Sequence, residues 1–148
     1  MSKSLRKTAR LRALLQEADC IVAPGCFNAM GARIIEQTGF PVGYISGYGV
    51  SVNHLGRPDV GLTTMSEVVD VASKAASAVG IPLICDADTG YGNAINVMRT
   101  VEEFIRSGVA GIHLEDQVAP KRCGHVAGKQ VISRAEAAGK IRAAARVC

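Results

Sequence analysis

At 148 residues, 48% of them hydrophobic, the chain is long enough to bury the core of one domain, and it contains no low-complexity tract. Its net charge of +4 is modest, concentrated near residues 3–12 and 121–129 without interleaved aromatic residues, which excludes a nucleic-acid surface and suits a small anionic ligand near the second cluster. No apolar run approaches membrane-spanning length, no signal-peptide core is present, and the five cysteines lack paired Cys-x-x-Cys spacing, a pattern expected of reduced thiols in a cytoplasmic protein.

An opening helix is predicted over residues 3–17, with apolar positions at Leu5, Leu11, Leu14 and Leu15. One grammar then repeats: short apolar strand, polar loop, amphipathic helix, glycine. Strands are expected over residues 20–23, 43–46, 82–86 and 111–115, and helices over 29–37, 66–78, 94–107 and 134–146. Gly39, Gly80 and Gly108 follow helices at the usual stop position, while Thr64 with Glu67 and Ser133 with Glu136 have capping-box spacing. Strands alternating with helices imply parallel βαβ units, and nearly continuous apolar strands imply a sheet covered on both faces. Four such units fill about half of the roughly 250 residues that an eight-unit barrel needs. A small open sheet and a half-barrel that dimerises are the alternatives. No linker divides residues 1–148, which read as a single domain.

The chemistry-bearing residues gather at the C-terminal ends of these strands, where parallel α/β folds bind ligands. Tyr44, Ser46 and Tyr48 share a strand face, and Ser-Gly-Tyr-Gly (46–49) reads first as a tight turn and second as a cradle for a carboxylate. Asp86 and Asp88 close the third strand and, by alternation, point the same way; His113 and Glu115 do so on the fourth. Acids ending a buried strand cost free energy unless paired, solvated or metal-bound, so Mg²⁺ or catalysis competes with helix capping and salt bridging. Glu115 and Asp116 repeat the pattern next door. Asp59 reads equally as a turn residue or part of a metal shell, and His113 as a hydrogen-bonded core histidine. Cys123 lies in the cationic loop Lys-Arg-Cys-Gly-His (121–125), where positive charge favours a thiolate; an incidental cysteine in a solvated loop is the equal alternative.

Five segments together resemble the isocitrate lyase/phosphoenolpyruvate mutase superfamily: Tyr-Ile-Ser-Gly-Tyr-Gly (44–49), Gly-Arg-Pro-Asp-Val-Gly (56–61), Asp-Ala-Asp-Thr-Gly-Tyr-Gly (86–92), His-Leu-Glu-Asp-Gln (113–117) and Lys-Arg-Cys-Gly-His (121–125). Within it the cysteine loop resembles that of the carbon–carbon lyases, the 2-methylisocitrate lyases most, with dimethylmalate lyases and oxaloacetate hydrolases close behind. The resemblance implies the (β/α)₈ barrel, here its first four βα units after an N-terminal helix, and Mg²⁺-dependent (or Mn²⁺-dependent) retro-aldol cleavage of a 2-hydroxy di- or tricarboxylate. It implies that Asp86 and Asp88 hold the metal, directly or through water, with Asp59 and Glu115 in the surrounding shell.

By the same resemblance Ser46, Gly47 and Tyr48 hold the substrate carboxylate, with Tyr44 and His113 beside them. Cys123 is the implied general acid. Lys121, Arg122, Gly124 and His125 bind or gate from a mobile loop, and Glu115 doubles as a catalytic group. The family's barrel continues for about as much chain again, so the sequence reads as an N-terminal fragment with an exposed fourth-strand edge. Full-length relatives imply a homo-oligomer, a tetramer.

Overall fold

In the computed structural model, which describes residues 6–17 and 19–148, four short strands form one all-parallel sheet in chain order. The elements run α1 (Lys7–Glu17), β1 (Gly25–Cys26), α2 (Ala29–Gln37), β2 (Gly43–Ile45), α3 (Gly47–Val50) continued by a π-helical turn (Ser51–Leu55), α4 (Met65–Ala78), β3 (Leu83–Asp86), α5 (Ala94–Ser107), β4 (Gly111–His113) and α6 (Arg134–Ala145). Sequential parallel neighbours joined by helices are the topology expected for half of a (β/α)₈ barrel. Strands β1 and β4 are its edges.

Side chains alternate across the sheet. Ile45, Leu83 and Cys85 turn toward the helices and are fully buried with Ala72 and Ala75 of α4 and Phe104 of α5. The alanines leave α4 thin enough to sit close to the sheet. Tyr44, Ile84, Asp86 and His113 occupy the opposite face, which is half open; there the Tyr44 and His113 rings lie 5.2 Å apart.

Helix α1 closes the N-terminal ends of the strands. Its Leu11 is buried over Gly111 at the start of β4, and Lys7 Nζ donates to the Ala76 carbonyl at the end of α4 at 2.5 Å. Residues 3–5 of the expected first helix, Leu5 included, lie outside the described residues, and Leu15 is exposed.

Three expectations need correction. The first strand is not at 20–23 but at Gly25–Cys26, because Pro24 has no N–H to give; pairing begins only with its carbonyl, which accepts from Tyr44 N at 2.9 Å. Gly80 does not end a helix in the left-handed region, as Gly39 (φ 89°) and Gly108 (φ 83°) do; α4 ends one residue earlier at an extended Val79, and the Glu36 carboxylate takes the Gly80 and Ile81 N–H groups at 2.7 and 3.1 Å. The Ser-Gly-Tyr-Gly segment is no simple turn: Ser46 caps α3 by accepting from Gly49 N at 3.2 Å. The Thr64–Glu67 capping box forms in both directions, whereas at α6 only Ser133 accepts, from Glu136 N at 3.2 Å. All five cysteines are free thiols. Among the described residues no helix is long and apolar enough to cross a membrane.

Candidate active site

Strands β3 and β4 stay zipped beyond their ladder. Ala87 N donates to His113 O at 3.0 Å and Glu115 N to Asp88 O at 2.8 Å, which brings the acidic ends of both strands side by side. Asp88 does not continue the strand: its φ of 47° places it in the left-handed region, so strand alternation is not what aims its carboxylate. Tyr91 follows at φ 57°, a costlier position for a bulky side chain, on the order of 1–3 kcal/mol.

Buried polar contacts hold this strained loop. Asp86 Oδ1 accepts from Asp88 N at 2.9 Å, Thr100 Oγ1 donates to Gly90 O at 2.9 Å, and Lys140 Nζ donates to Thr89 O at 3.0 Å. Thr100 comes from α5 and Lys140 from α6. Two neighbouring helices therefore clamp one turn.

The carboxylate of Asp88 meets Lys121 from the loop after β4. The Lys121 ammonium, 4% exposed, ion-pairs with Asp88, donates to Asp59 Oδ2 at 2.9 Å, and lies 4.0 Å from Glu115 Oε1. Asp59 and Asp88 are themselves only 5% and 7% exposed. Burial raises the proton affinity of Asp88 and of Glu115, against the opposing pull of Lys121. For Lys121, burial pulls the other way, but its bonds to Asp88 and Asp59 outweigh it and hold the ammonium well above the ordinary lysine range. Burial, then the Asp88 charge, also pushes the Tyr91 phenol up; its hydroxyl is buried without a hydrogen-bond partner.

Asp86, on the half-open face, stands beside the start of α3. A Cβ at Gly47 would run into the Asp86 carboxylate, so glycine is what allows the α3 backbone to approach it. The Ser46 hydroxyl caps that helix, Tyr48 is 55% exposed, and the Tyr44 phenol is pushed up by burial and by Asp86. Ser46, Gly47, Tyr44, Asp86 and His113 thus share one corner of the rim.

Residues 117–131 form a loop with a closed neck. Gln117 bridges Val131 in antiparallel fashion, Val118 N donates to Gln130 O at 2.8 Å, and Ile132 N to Asp116 O at 2.8 Å. The Gln117 side chain is 7% exposed and fully used: Nε2 donates to Glu115 Oε2 at 2.6 Å and to Arg122 O at 2.9 Å, while Oε1 accepts from Arg122 N at 3.1 Å. Cys123 is half-buried just beyond this clasp, in a turn closed by Val126 N on its carbonyl at 2.9 Å. Arg122, Gly124 and His125 are exposed, and Lys129 Nζ steadies the tip through the Gly124 and Val126 carbonyls at 2.8 and 2.9 Å. Lys121 is not one of the solvated cations expected around the thiol; it is drawn into the carboxylates.

The oxygen donors fit a hard divalent cation. Oδ1 of Asp59 and Oδ1 of Asp88 are buried, and each faces the Lys121 ammonium at ion-pair distance without a well-directed hydrogen bond, so both oxygens already gather around one positive charge. Among the described residues no three His, Cys, Asp or Glu side chains converge on one point as they stand. Asp59 and Asp88 converge through Lys121, with Glu115 at the margin, whereas Asp86 is turned to the Asp88 N–H and Asp116 is exposed. Sequence reading missed the tasks of Gln117, Tyr91, Thr100 and Lys140. The first two lie inside the quoted motifs, and a polar residue following the acid pair was the available signal for Gln117.

Residues 11–148 match the phosphoenolpyruvate phosphomutase family. A 2,3-dimethylmalate lyase of Eubacterium barkeri is 52% identical over 95% of this chain and 48% of its own length. A 2-methylisocitrate lyase of Aeropyrum pernix is 47% identical over 90% of this chain and 43% of its own. A phosphonopyruvate hydrolase solved with oxalate and Mg²⁺ superposes with a TM-score of 0.88 at 33% identity, covering 97% of this chain and 49% of that one. The chain spans about half the length of the curated relatives it matches.

Proposed function

Because the chain belongs to the phosphoenolpyruvate mutase/isocitrate lyase superfamily, we propose that its rim supplies half of the active site of a Mg²⁺-dependent carbon–carbon lyase acting on a 2-hydroxy di- or tricarboxylate of the 2-methylisocitrate type. One observation carries the reading: buried Asp59 and Asp88 gather around the positive charge of Lys121 at the foot of the loop that bears Cys123. Asp86, Asp88, Asp59 and Glu115 would hold Mg²⁺ (or Mn²⁺), directly or through water, and the ion when bound polarises the substrate's hydroxyl and carboxylate oxygens.

The remaining work falls to the chain's own groups. Gly47 and Tyr48, at the start of α3, receive the substrate carboxylate with Ser46, whose hydroxyl holds the helix start in place. Tyr44 and His113 wall the same corner. Cleavage breaks the C–C bond, turns the hydroxyl-bearing carbon into an oxo group as its O–H proton passes to the Glu115 carboxylate, acting as the base, and places the bonding pair on the second fragment. The Cys123 thiol then delivers its proton to that carbanion and becomes a thiolate, as Arg122, Gly124 and His125 close over it and exclude water. The products are an oxo acid such as pyruvate and a dicarboxylate such as succinate. The partner is thus a small anionic carboxylate, and the protein works as a cytoplasmic homo-oligomer.

A substrate panel with mass-spectrometric product analysis on the complete protein tests the reading. Pyruvate released from 2-methylisocitrate supports it; cleavage confined to dimethylmalate or oxaloacetate would reassign the substrate. Cys123→Ser should cut turnover by about 10²–10⁴-fold while substrate still binds. Unchanged turnover removes Cys123 from the role of acid.

A further inference from the structure

The ammonium of Lys121 sits on the same buried oxygens that the function proposed above assigns to a divalent ion. Lys121, Asp59 and Asp88 are each less than one-tenth exposed, and Glu115 stands 4.0 Å from the ammonium. Two buried carboxylates against one positive charge, with Glu115 at the margin, leave an excess of negative charge. A divalent ion would correct that excess better than an ammonium does, but it cannot share the pocket with one, because like charges in a poorly solvated space repel strongly. Lys121 also belongs to a segment tied to the domain by its own ion pairs and by the Gln117 side chain, which bonds Arg122 N and O. The neck at Gln117 and Val131 is closed by backbone bonds, and beyond Arg122 the loop is held by its own turn and by Lys129.

We infer that Lys121 is an internal stand-in for the divalent cation: ammonium and ion are alternative occupants of the Asp59–Asp88 pocket, and the exchange releases the Cys123 loop. This inference rests on the cation site proposed above. In its cation-free state the pocket is partly neutralised from within, which keeps two buried carboxylates from standing without a counter-charge. When the ion enters, Lys121 withdraws toward the substrate side and carries the segment holding Cys123 with it. Cation loading and thiol exposure become one coupled event.

The test uses Mn²⁺ as the probe, with electron paramagnetic resonance counting the free ion, on the complete protein and its Lys121→Met variant. The variant, having lost the competitor, should bind Mn²⁺ about tenfold more tightly or better, since apparent affinity scales with the unblocked fraction. Equal affinity overturns the exchange while leaving the cation site intact; no binding by either protein overturns both. A second measurement needs no variant. Alkylation of Cys123 by iodoacetamide, located by peptide mass, should quicken several-fold when the unaltered protein is saturated with Mn²⁺, and a rate indifferent to Mn²⁺ overturns the coupling.

Discussion

At the N-terminal ends of the strands, contacts are apolar or locally satisfied: Leu11 seats on Gly111, Lys7 reaches the last turn of α4, and Glu36 takes two backbone N–H groups of the α4–β3 connection. At the C-terminal ends the same strands finish in two left-handed non-glycine residues, two buried carboxylates and a buried ammonium. The first arrangement buries apolar surface and pairs its polar groups. The second accepts strain and desolvation, and holds them in place with Thr100 and Lys140 from outside. The contrast separates residues that keep the fold from residues held in place at a cost to it.

The comparison breaks first in the helix layer. Phe104, fully buried in the last turn of α5, should cost about 3–5 kcal/mol when replaced by alanine, read from urea unfolding. A loss below that of a rim substitution would mean that the core is not where stability resides. The next effect is alkaline. Burial pushes the Cys26 thiol from 9.0 up to about 11, so between these values the unfolded chain releases a proton that the folded chain keeps. Stability is therefore intact below pH 9 and falls as pH rises toward 11, by about 2–3 kcal/mol from this thiol, and Cys26→Ala should flatten that part of the slope in urea unfolding at stepped pH. The smallest loss is at the rim. Gln117→Leu removes three hydrogen bonds but leaves groups that water can reach, costing about 1–2 kcal/mol, while amide exchange across residues 119–129 should rise far more than elsewhere. Uniform acceleration would show Gln117 to be an ordinary structural residue.

Legibility in the sequence followed range. The Thr64–Glu67 box, the glycines after α2 and α5, and the order of four βα units rest on spacings of a few residues, and they were readable. The first strand was misplaced because apolar character over 20–23 said nothing of where Pro24 would let pairing start. Likewise Ser46 and the glycines after it suited a turn as well as a capped helix. Asp88 and Glu115 were picked out as acids at strand ends, yet their environment was not, since it depends on Lys121 crossing to Asp59 from 62 positions away. The Glu36 bonds to Gly80 and Ile81 escaped notice for the same reason. Short motifs picked out candidate residues; only tertiary packing decided what each one touches.

The neck formed by residues 116–118 against 130–132 is joined through main-chain atoms, and main-chain atoms are indifferent to side-chain identity. The part of the enclosed segment beyond Arg122 is therefore replaceable, whereas Lys121, buried on Asp59 and Asp88, is not. The loop's tip can be rewritten, lengthened or swapped for a relative's without disturbing the sheet beneath, provided a glutamine-like clasp remains at its root. A scaffold arranged in this way can vary the groups at its loop tip while leaving the acidic rim beneath untouched.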